Sequence, residues 1–481
     1  MSEFSNQLGQ LIRERKANVA RLARNCGIQP PTLYQYISGK RTLHSEDELE
    51  RIMTGLQLSP PEREQLADLF SMQQLGIERY TEREKAVRFV SRLPEIEQRQ
   101  ESIVAAPPEI PLRLSDGSPA VLHGSADVTA VFLSIISDAC RRKADIFLLL
   151  PAESELLQHV SVLLSSSTVQ SRVTHIFSLE SGRCTGRITN VERAFHVIRH
   201  AVDIRNYTPL FYYGQPEERF GQTALMPGYL LTDEAVLRLS PDCETAMLLR
   251  DPEIIACYQE QFHRVAALCH PLIARRTTPY EIASCHLAAT SILSHALLIS
   301  GGLCAGAFWT PEIIRKYLNP AIPDRDTVEQ ALIDVFRATY DLKRAGETTI
   351  LLNPEALLEF AKDGIIAEYP KAFITKPFDI ADRRYLLEQM LRASREGWYH
   401  MHLLEGCPFP LKQHWEIGLM SNRYLAIALQ AETASTEMLL DEPSLHRIFE
   451  DYFYSLLNGK YTLSEKETCA RLQQILDQYL S

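Results

Sequence analysis

Two short runs of helical periodicity, one closed by Gly27 and the next by Gly39, set what the start of this chain can become. Val19, Leu22, Ala23 and Cys26 recur at i, i+3, i+4 and i+7, the spacing that lines side chains along one face of a helix. Asn18 offers a capping oxygen ahead of them, and Gly27 ends the run. The second run, from Pro30 to Ser38, opens on prolines, whose missing N–H costs little in a first turn, and directs Leu33, Tyr36 and Ile37 inward. Leu8, Leu11 and Ile12 give an earlier helix its apolar stripe. Ser45 with Glu48, and Ser59-Pro60-Pro61-Glu62, read as capping boxes that start a fourth and a fifth. Residues 1–80 are therefore expected to form a five-helix domain.

Two short helices across a glycine-containing turn make a helix-turn-helix, whose second helix enters the major groove of DNA. With Leu33, Tyr36 and Ile37 turned to the core, Gln29, Pro30, Thr32, Tyr34 and Gln35 remain on the outer side and leading end. Gln pairs bidentately with adenine, and Thr or Pro packs on a thymine methyl. Lys40 and Arg41, just past the helix, are placed to meet phosphates, as are Arg13, Lys16 and Arg24. Charge is segregated in the same sense. Residues 1–45 hold seven Lys or Arg against Glu3 and Glu14, whereas residues 46–80 hold eight acids against Arg51, Arg63 and Arg79. A basic face followed by an acidic flank suits a phosphate-docking module better than a protein-interaction bundle.

The run LARNCGIQPPTLYQYISGKR, Leu22 to Arg41, resembles the lambda-repressor/Cro-like, or XRE-like, helix-turn-helix family over about residues 6–72. The resemblance rests on Leu22-Ala23, the turn residue Gly27, the hydrophobic Ile28, Leu33 and Tyr36, and the closing Gly39-Lys40-Arg41. It departs at Ile37, where the family commonly has Glu, and at Pro30-Pro31, which replace more usual polar residues. What the resemblance implies is a transcriptional regulator that binds double-stranded DNA.

Such a module is a small part of 481 residues, a length that at roughly 100–200 residues per domain predicts about three domains. Hydrophobic residues at 45% supply a core and exclude whole-chain disorder. The net charge of -11 argues against a nucleic-acid coat protein or a polybasic membrane binder, so any DNA contact must be local. Ten cysteines without a CxxC pair read as reduced thiols, which favours a cytoplasmic protein, and the N-terminus lacks the pattern of a secretory signal. Ile282 to Pro311 holds no Asp, Glu, Lys or Arg, but His286, His295, Ser284, Ser291, Ser294 and Gly301-Gly302 suit a buried helix better than a membrane span.

The predicted fold class is multidomain α + α/β. After the helix-turn-helix domain at 1–80 come a connecting helix and Pro-rich linker at 81–120, with Ala105–Pro119 as the linker proper. A first α/β repeat follows at 121–275, a buried helical connector at 276–320, and a second α/β repeat at 321–481. IFLLL, VTHIFSL and LFYYG read as strands around a helix near Val191–Val202. The repeat is diverged. LLTDEAVLRLS…ETAMLLRDPEIIACYQEQFHRV and GLMSNRYLAIALQ…STEMLLDEPSLHRIFEDYFYSL share the order strand, polar turn, strand, strand, acidic-Pro helix start and amphipathic helix.

The LLRDPE segment and its helix are similar to the C-terminal part of phospholipase D-like sensor domains on bacterial regulators, mainly over residues 125–270. The catalytic members of that family need a His-x-Lys pair, and none of the fourteen histidines is followed at two residues by Lys. Walker, H-E-x-x-H and G-x-G-x-x-G motifs are absent too. Gly302-Leu303-Cys304-Ala305-Gly306 has the outline of a nucleophile elbow but reads better as a small-residue helix crossing. His196 with His200, Cys269-His270 and Cys285-His286 read as structural rather than zinc-binding. No catalytic residue, metal or cofactor is expected. The expectation is a one-component regulator whose body dimerises and senses a small-molecule or protein effector, with no membrane partner. The rival readings are a DNA-targeted nuclease or hydrolase of a mobile-element or defence system, and a protein-interaction scaffold.

Overall fold

The computed structural model describes residues 2–100, 120–164, 170–181, 189–214, 226–276, 296–345, 348–366, 374, 376–407, 409, 415–420, 423–430 and 435–480. The chain divides into two compact units, Met1–Lys85 and Ala86–Ser481. In the first, α1 (Glu3–Glu14), α2 (Val19–Asn25), α3 (Pro30–Ile37), α4 (Glu46–Gly55) and α5 (Pro60–Leu75) are the five expected helices, and α6 (Ile77–Gln100) begins. Their core is Phe4, Leu8, Leu11, Leu22, Ala23, Leu33, Tyr36, Ile52, Leu66 and Phe70.

Four helices of this unit, α1 to α4, stop by one repeated device. After α2 the amide of Ile28 donates to the Ala23 carbonyl and that of Gly27 to Arg24, the paired bonds of a left-handed helix stop. The amides of Lys40 and Gly39 close α3 in the same way, on Gln35 and Tyr36. α1 and α4 use the same bonds but place Lys16 (φ 49°) and Gln57 (φ 52°) where glycine is favoured. Ser59 and Glu62 form the expected capping box. Ser45 and Glu48 do not: Ser45 Oγ accepts from the Glu48 amide at 3.2 Å, but the Glu48 carboxylate is taken by the Tyr36 hydroxyl at 2.9 Å. A tertiary donor has displaced the local one.

The second unit is a duplicated α/β fold. Its first sheet runs β1 (Ala120–His123), β7 (Thr245–Leu249), β6 (Val236–Leu239), β5 (Gly228–Leu231), β2 (Ile146–Leu149), β3 (Val173–Leu179), β4 (Tyr207–Tyr213), β8 (His270–Pro271). β2, β3 and β4 are parallel and joined by α8 (Glu155–Leu164) and α9 (Asn190–Asp203), while α7 (Ser125–Arg142) leads from β1 into β2. β5, β6 and β7 are antiparallel, and α10 (Pro252–Ala266) follows them. The second sheet runs β12 (His400–Leu403), β11 (Thr348–Leu352), β10 (Ala296–Ser300), β13 (Trp415–Met420), β14 (Tyr424–Gln430), β15 (Ser435–Asp441), β9 (Ile273–Arg276). β10, β11 and β12 are parallel, with α11 (Pro311–Tyr317), α12 (Arg325–Arg344), α13 (Pro354–Asp363) and α14 (Ile380–Arg395) between them. β13 to β15 are antiparallel and lead into α15 (Pro443–Leu457), and α16 (Glu465–Tyr479) ends the chain's described part.

The two sheets share one order. β2, β3 and β4 correspond to β10, β11 and β12, and β5–β7 with α10 correspond to β13–β15 with α15. β1 on the β7 edge corresponds to β9 on the β15 edge, both antiparallel. The segment expected as a helical connector, 276–320, is corrected here: Ala296–Ser300 is the strand β10 at the middle of the second sheet, so strands of the second copy precede residue 321. ALLIS is a short continuous apolar run, and such a run fits a buried parallel strand as well as a buried helix. Of the buried helix expected over residues 282–311, residues 282–295 lie outside the described residues and 296–310 form β10, a loop and a 3-10 turn instead; the Pro-rich linker over 105–119 and Cys285-His286 also lie outside the described residues. Among the described residues, no helix is long and apolar enough to cross a membrane.

One apolar cluster joins α7–α9 and a face of the first sheet to α15 and a face of the second, through residues such as Phe132, Phe195, Leu230, Ile417 and Phe449. Ala86, Phe89, Val90, Leu93 and Ile96 of α6 belong to it. The Phe89 ring meets Phe195 of α9 at 5.6 Å and Phe449 of α15 at 5.0 Å, so this half of α6 is wedged between the two copies. Polar groups close the same seam. Glu442, 1% exposed, accepts from the Tyr213 hydroxyl at 2.7 Å and the Ser444 hydroxyl at 2.6 Å, and Asn190 donates to Ser444 at 3.2 Å. Burial, then the bond to Glu442, pushes the Tyr213 phenol up.

Candidate nucleic-acid interface

The turn between α2 and α3 is fixed from both sides. Gly27 (φ 67°) takes the left-handed position, and Ile28 is buried beyond it, anchoring the start of α3. Cys26 is also buried; its thiol donates to the Arg51 carbonyl at 3.2 Å, and burial raises its pKa. α3 approaches α1 closely, since a Cβ on Gly9 would lie 3.3 Å from Ile37 Cγ2. Leu33 and Tyr36 are sealed, at 0% and 4% exposure. Burial first, then the bond to Glu48, raises the Tyr36 phenol, so it stays a neutral donor.

This inward packing decides what α3 leaves outside. Tyr34 is 54% exposed, and Gln29, Gln35, Lys40 and Arg41 are exposed too. Pro30 and Thr32 are half-buried, at the flanks of the strip rather than its middle. The strip also holds two residues that the sequence did not lead us to place there, Pro31 and Ser38, both exposed. Their signal was present in the period: Pro31 and Gln35 are i and i+4, and Ser38 lies a further turn on. Gln29 is the N-cap residue but makes no side-chain cap bond, so its amide group is not committed to the helix.

The cations sort into two kinds. Arg15 is tied to Glu62 at 2.6 Å and Arg63 to Glu50 at 2.5 Å. Glu62 is held below the usual carboxylate range by the Ser59 hydroxyl and amide first and by Arg15 after them. Arg13, Lys16, Arg21, Arg24, Lys40 and Arg41 are exposed and, among the described residues, stand in no ion pair. Arg41 rests over the Tyr36 ring at 5.9 Å. The arrangement is chemically suited to phosphate contacts around a short strip of hydrogen-bonding and apolar groups.

Elsewhere the chemistry-bearing residues have structural surroundings. His200 Nδ1 meets Ser161 Oγ at 2.5 Å inside the core, and burial lowers the pKa of His196. Cys269 donates to the Val265 carbonyl at 3.3 Å, and His270 lies in β8. His175 donates from Nε2 to the Leu150 carbonyl at 3.0 Å and accepts at Nδ1 from the Tyr207 hydroxyl at 2.6 Å; burial drives its pKa down to about 4. No group of three His, Cys, Asp or Glu is assembled for a metal ion among the described residues. Cys304 is not at a helix crossing as expected but in the loop between β10 and a short 3-10 turn, Gly306–Phe308.

Residues 3–66 match the family model of a helix-turn-helix domain. No curated protein matches the chain. Among solved structures, a phosphatidylserine synthase of Haemophilus influenzae Rd KW20 is similar at 11% identity, over 80% of this chain and 96% of that one, with a TM-score of 0.24. TrmBL2, an archaeal chromatin protein, is similar at 12% identity over 56% of this chain and 100% of that one, with a TM-score of 0.22. Scores this low support no inference about the body of the molecule. The front of the chain, by its caps, its core and its match, is a helix-turn-helix domain.

Proposed function

We propose that the protein is a sequence-specific, DNA-binding transcriptional regulator of the XRE-like kind, with α3 as its reading helix. The observation that carries this reading is the exposed strip of α3 ending in Lys40 and Arg41, whose charges have no carboxylate partner among the described residues. In an acidic protein with a net charge of -11, the phosphate backbone supplies the counter-charge that these residues lack. Gln29 and Gln35 read base edges, and Tyr34, Thr32 and the prolines pack on the groove wall and thymine methyls.

One such domain makes few contacts, so the body acts as a dimerisation and sensing region that holds two domains on half-sites about one DNA turn apart. A small-molecule or protein effector shifts the dimer by binding its two arrangements unequally. The body is read as non-catalytic and similar to phospholipase D-like sensors. Its duplicated sheets support that reading, as does the lack of any His-x-Lys pair.

The test is a gel-shift series with the full-length protein on genomic fragments at low salt. The expected result is retardation of a subset of fragments. Lys40→Ala weakens all of them and lowers the salt slope by about 1, while Gln35→Ala relaxes the preference at one base position. Absence of selective retardation contradicts the proposal, and cleavage of the fragments in the presence of divalent cations favours the enzyme. Light scattering that shows monomer alone at micromolar concentration removes the dimer.

A further inference from the structure

Cys304 lies just beyond the C-terminal end of β10, a central strand of the second sheet and the place where α/β sheets present their chemistry. Gly301, Gly302 and Leu303 are buried, and Cys304 emerges half-exposed. Its φ of 52° is a left-handed backbone that favours glycine, yet a thiol stands there. The Tyr399 hydroxyl holds the Cys304 carbonyl at 3.1 Å and so fixes the turn.

The second half of the arrangement is an amine. Lys343, in the last turn of α12, is 4% exposed, and its Nζ lies 3.4 Å from Cys304 Sγ and 5.1 Å from the centre of the Tyr399 ring. Among the described residues no carboxylate is paired with it. A buried ammonium without a counter-ion is costly, and among the described residues the Cys304 sulfur, as thiolate, is placed to neutralise it. An ammonium this close favours the thiolate, the reactive form of cysteine, at a site open enough for a small reagent.

We propose that Cys304 and Lys343 form an oxidant-responsive modification site, in which a hydroperoxide oxidises the thiol and the amine traps the product in a sulfur–nitrogen bond. The Cys304 thiolate attacks a peroxide oxygen. The O–O bond breaks, the alkoxide or hydroxide leaves and takes a proton from the Lys343 ammonium, and sulfur becomes a sulfenic acid. The freed amine then attacks sulfur, and the hydroxyl departs as water with a proton from nitrogen. Thiolate, ammonium and ROOH thus give S–NH–R′, ROH and H2O, with sulfur oxidised by two electrons and the peroxide reduced by two. The site stands whether or not the front domain binds DNA.

The experiment treats the full-length protein with near-stoichiometric hydrogen peroxide and maps the digested products by mass spectrometry. The expected product joins the Cys304 and Lys343 peptides with a net loss of about 2 Da and is reversed by a thiol reductant. In Lys343→Met, Cys304 oxidises more slowly, and the fraction that reacts stops at the sulfenic acid and is captured by dimedone. A Cys304 that remains a thiol while the exposed Cys257 is oxidised overturns the proposal, as does a sulfenic acid in the unsubstituted protein that never cross-links. If Lys343→Met does not fold, alkylation of the unsubstituted protein still decides: Cys304 should react about tenfold faster than Cys257, and an equal or slower rate overturns the site.

Discussion

The two units differ in how closely their unpaired positive charges are gathered. In the body many exposed cations are committed, Arg142 to Asp138 and Asp233, Arg172 to Asp145, Lys316 to Asp379 and Asp382, Arg384 to Glu388, and Arg423 to Asp441, while those in no ion pair among the described residues, such as Lys143, Lys362, Arg392 and Lys466, are spread along the chain. Lys316 is correspondingly pushed above its ordinary range by the bonds to Asp379 and Asp382. In the front unit Arg15 and Arg63 are committed as well, but six others, from Arg13 to Arg41, stand in no ion pair among the described residues. Exposed pairs contribute at most about 1 kcal/mol each, so the difference is not one of stability. It separates unpaired charges spread along the body's sequence from a group of six gathered between Arg13 and Arg41, left for a polyanion to neutralise.

The sharpest way to break that contrast is to remove Lys40 and Arg41 together. The double substitution to Ala should lower DNA affinity by one to two orders of magnitude at moderate salt and reduce the salt slope by about 2, read by fluorescence anisotropy of labelled fragments. Removing Arg172 and Arg423 from the body in the same assay should change neither quantity. A smaller effect belongs to the seam between the two copies. Phe89→Ala empties the contact with Phe195 and Phe449 and should cost about 3–5 kcal/mol in the body's denaturant transition while the front unit's own transition stays in place.

The body should also respond to acid through His175. Its folded pKa of about 4 lies below the ordinary histidine value near 6.5, so the unfolded chain binds the proton more readily. The stability from keeping it neutral is complete above about pH 6.5 and is lost as the pH falls towards 4, on the order of 3 kcal/mol in all. Urea midpoints from pH 7 to 4.5 should fall in the parent protein and flatten in His175→Phe. The smallest effect is in the front unit: Lys16→Gly and Gln57→Gly relieve left-handed backbones and should each stabilise by about 0.5–1 kcal/mol, measured by thermal denaturation.

The same contrast governs how much could be read from sequence. In the front unit, structure is local. Caps, glycine stops and the i, i+4 period place α1 to α5, and the outer side of α3 follows from its inner side. What failed there was tertiary: nothing near Glu48 announces that Tyr36 takes its carboxylate, and Arg15 and Glu62 are joined across 47 residues. Pro31 and Ser38 were missed although the period held them.

In the body, VTHIFSL and PSLHRIFEDYFYSLL coincide with β3 and α15, and the aligned segments of the repeat coincide with β5–β7–α10 and β13–β15–α15. β7 alternates and both helices begin on proline, so their patterns speak, while β3 was legible as a short run rich in β-branched and aromatic residues. ALLIS does not alternate, because β10 is covered on both faces, and AVLH of β1 is too short to carry a period. The pairing of Lys343 with Cys304 spans 39 residues and has no sequence signature at all.

The central claim meets its most direct test in genome-wide footprinting of the purified full-length protein beside its Lys40→Ala/Arg41→Ala variant. Discrete protected sites, each with two half-sites about one helical turn apart and lost in the variant at the same salt, are the predicted result. Protection without discrete sites, or sites retained in full by the variant, would contradict it.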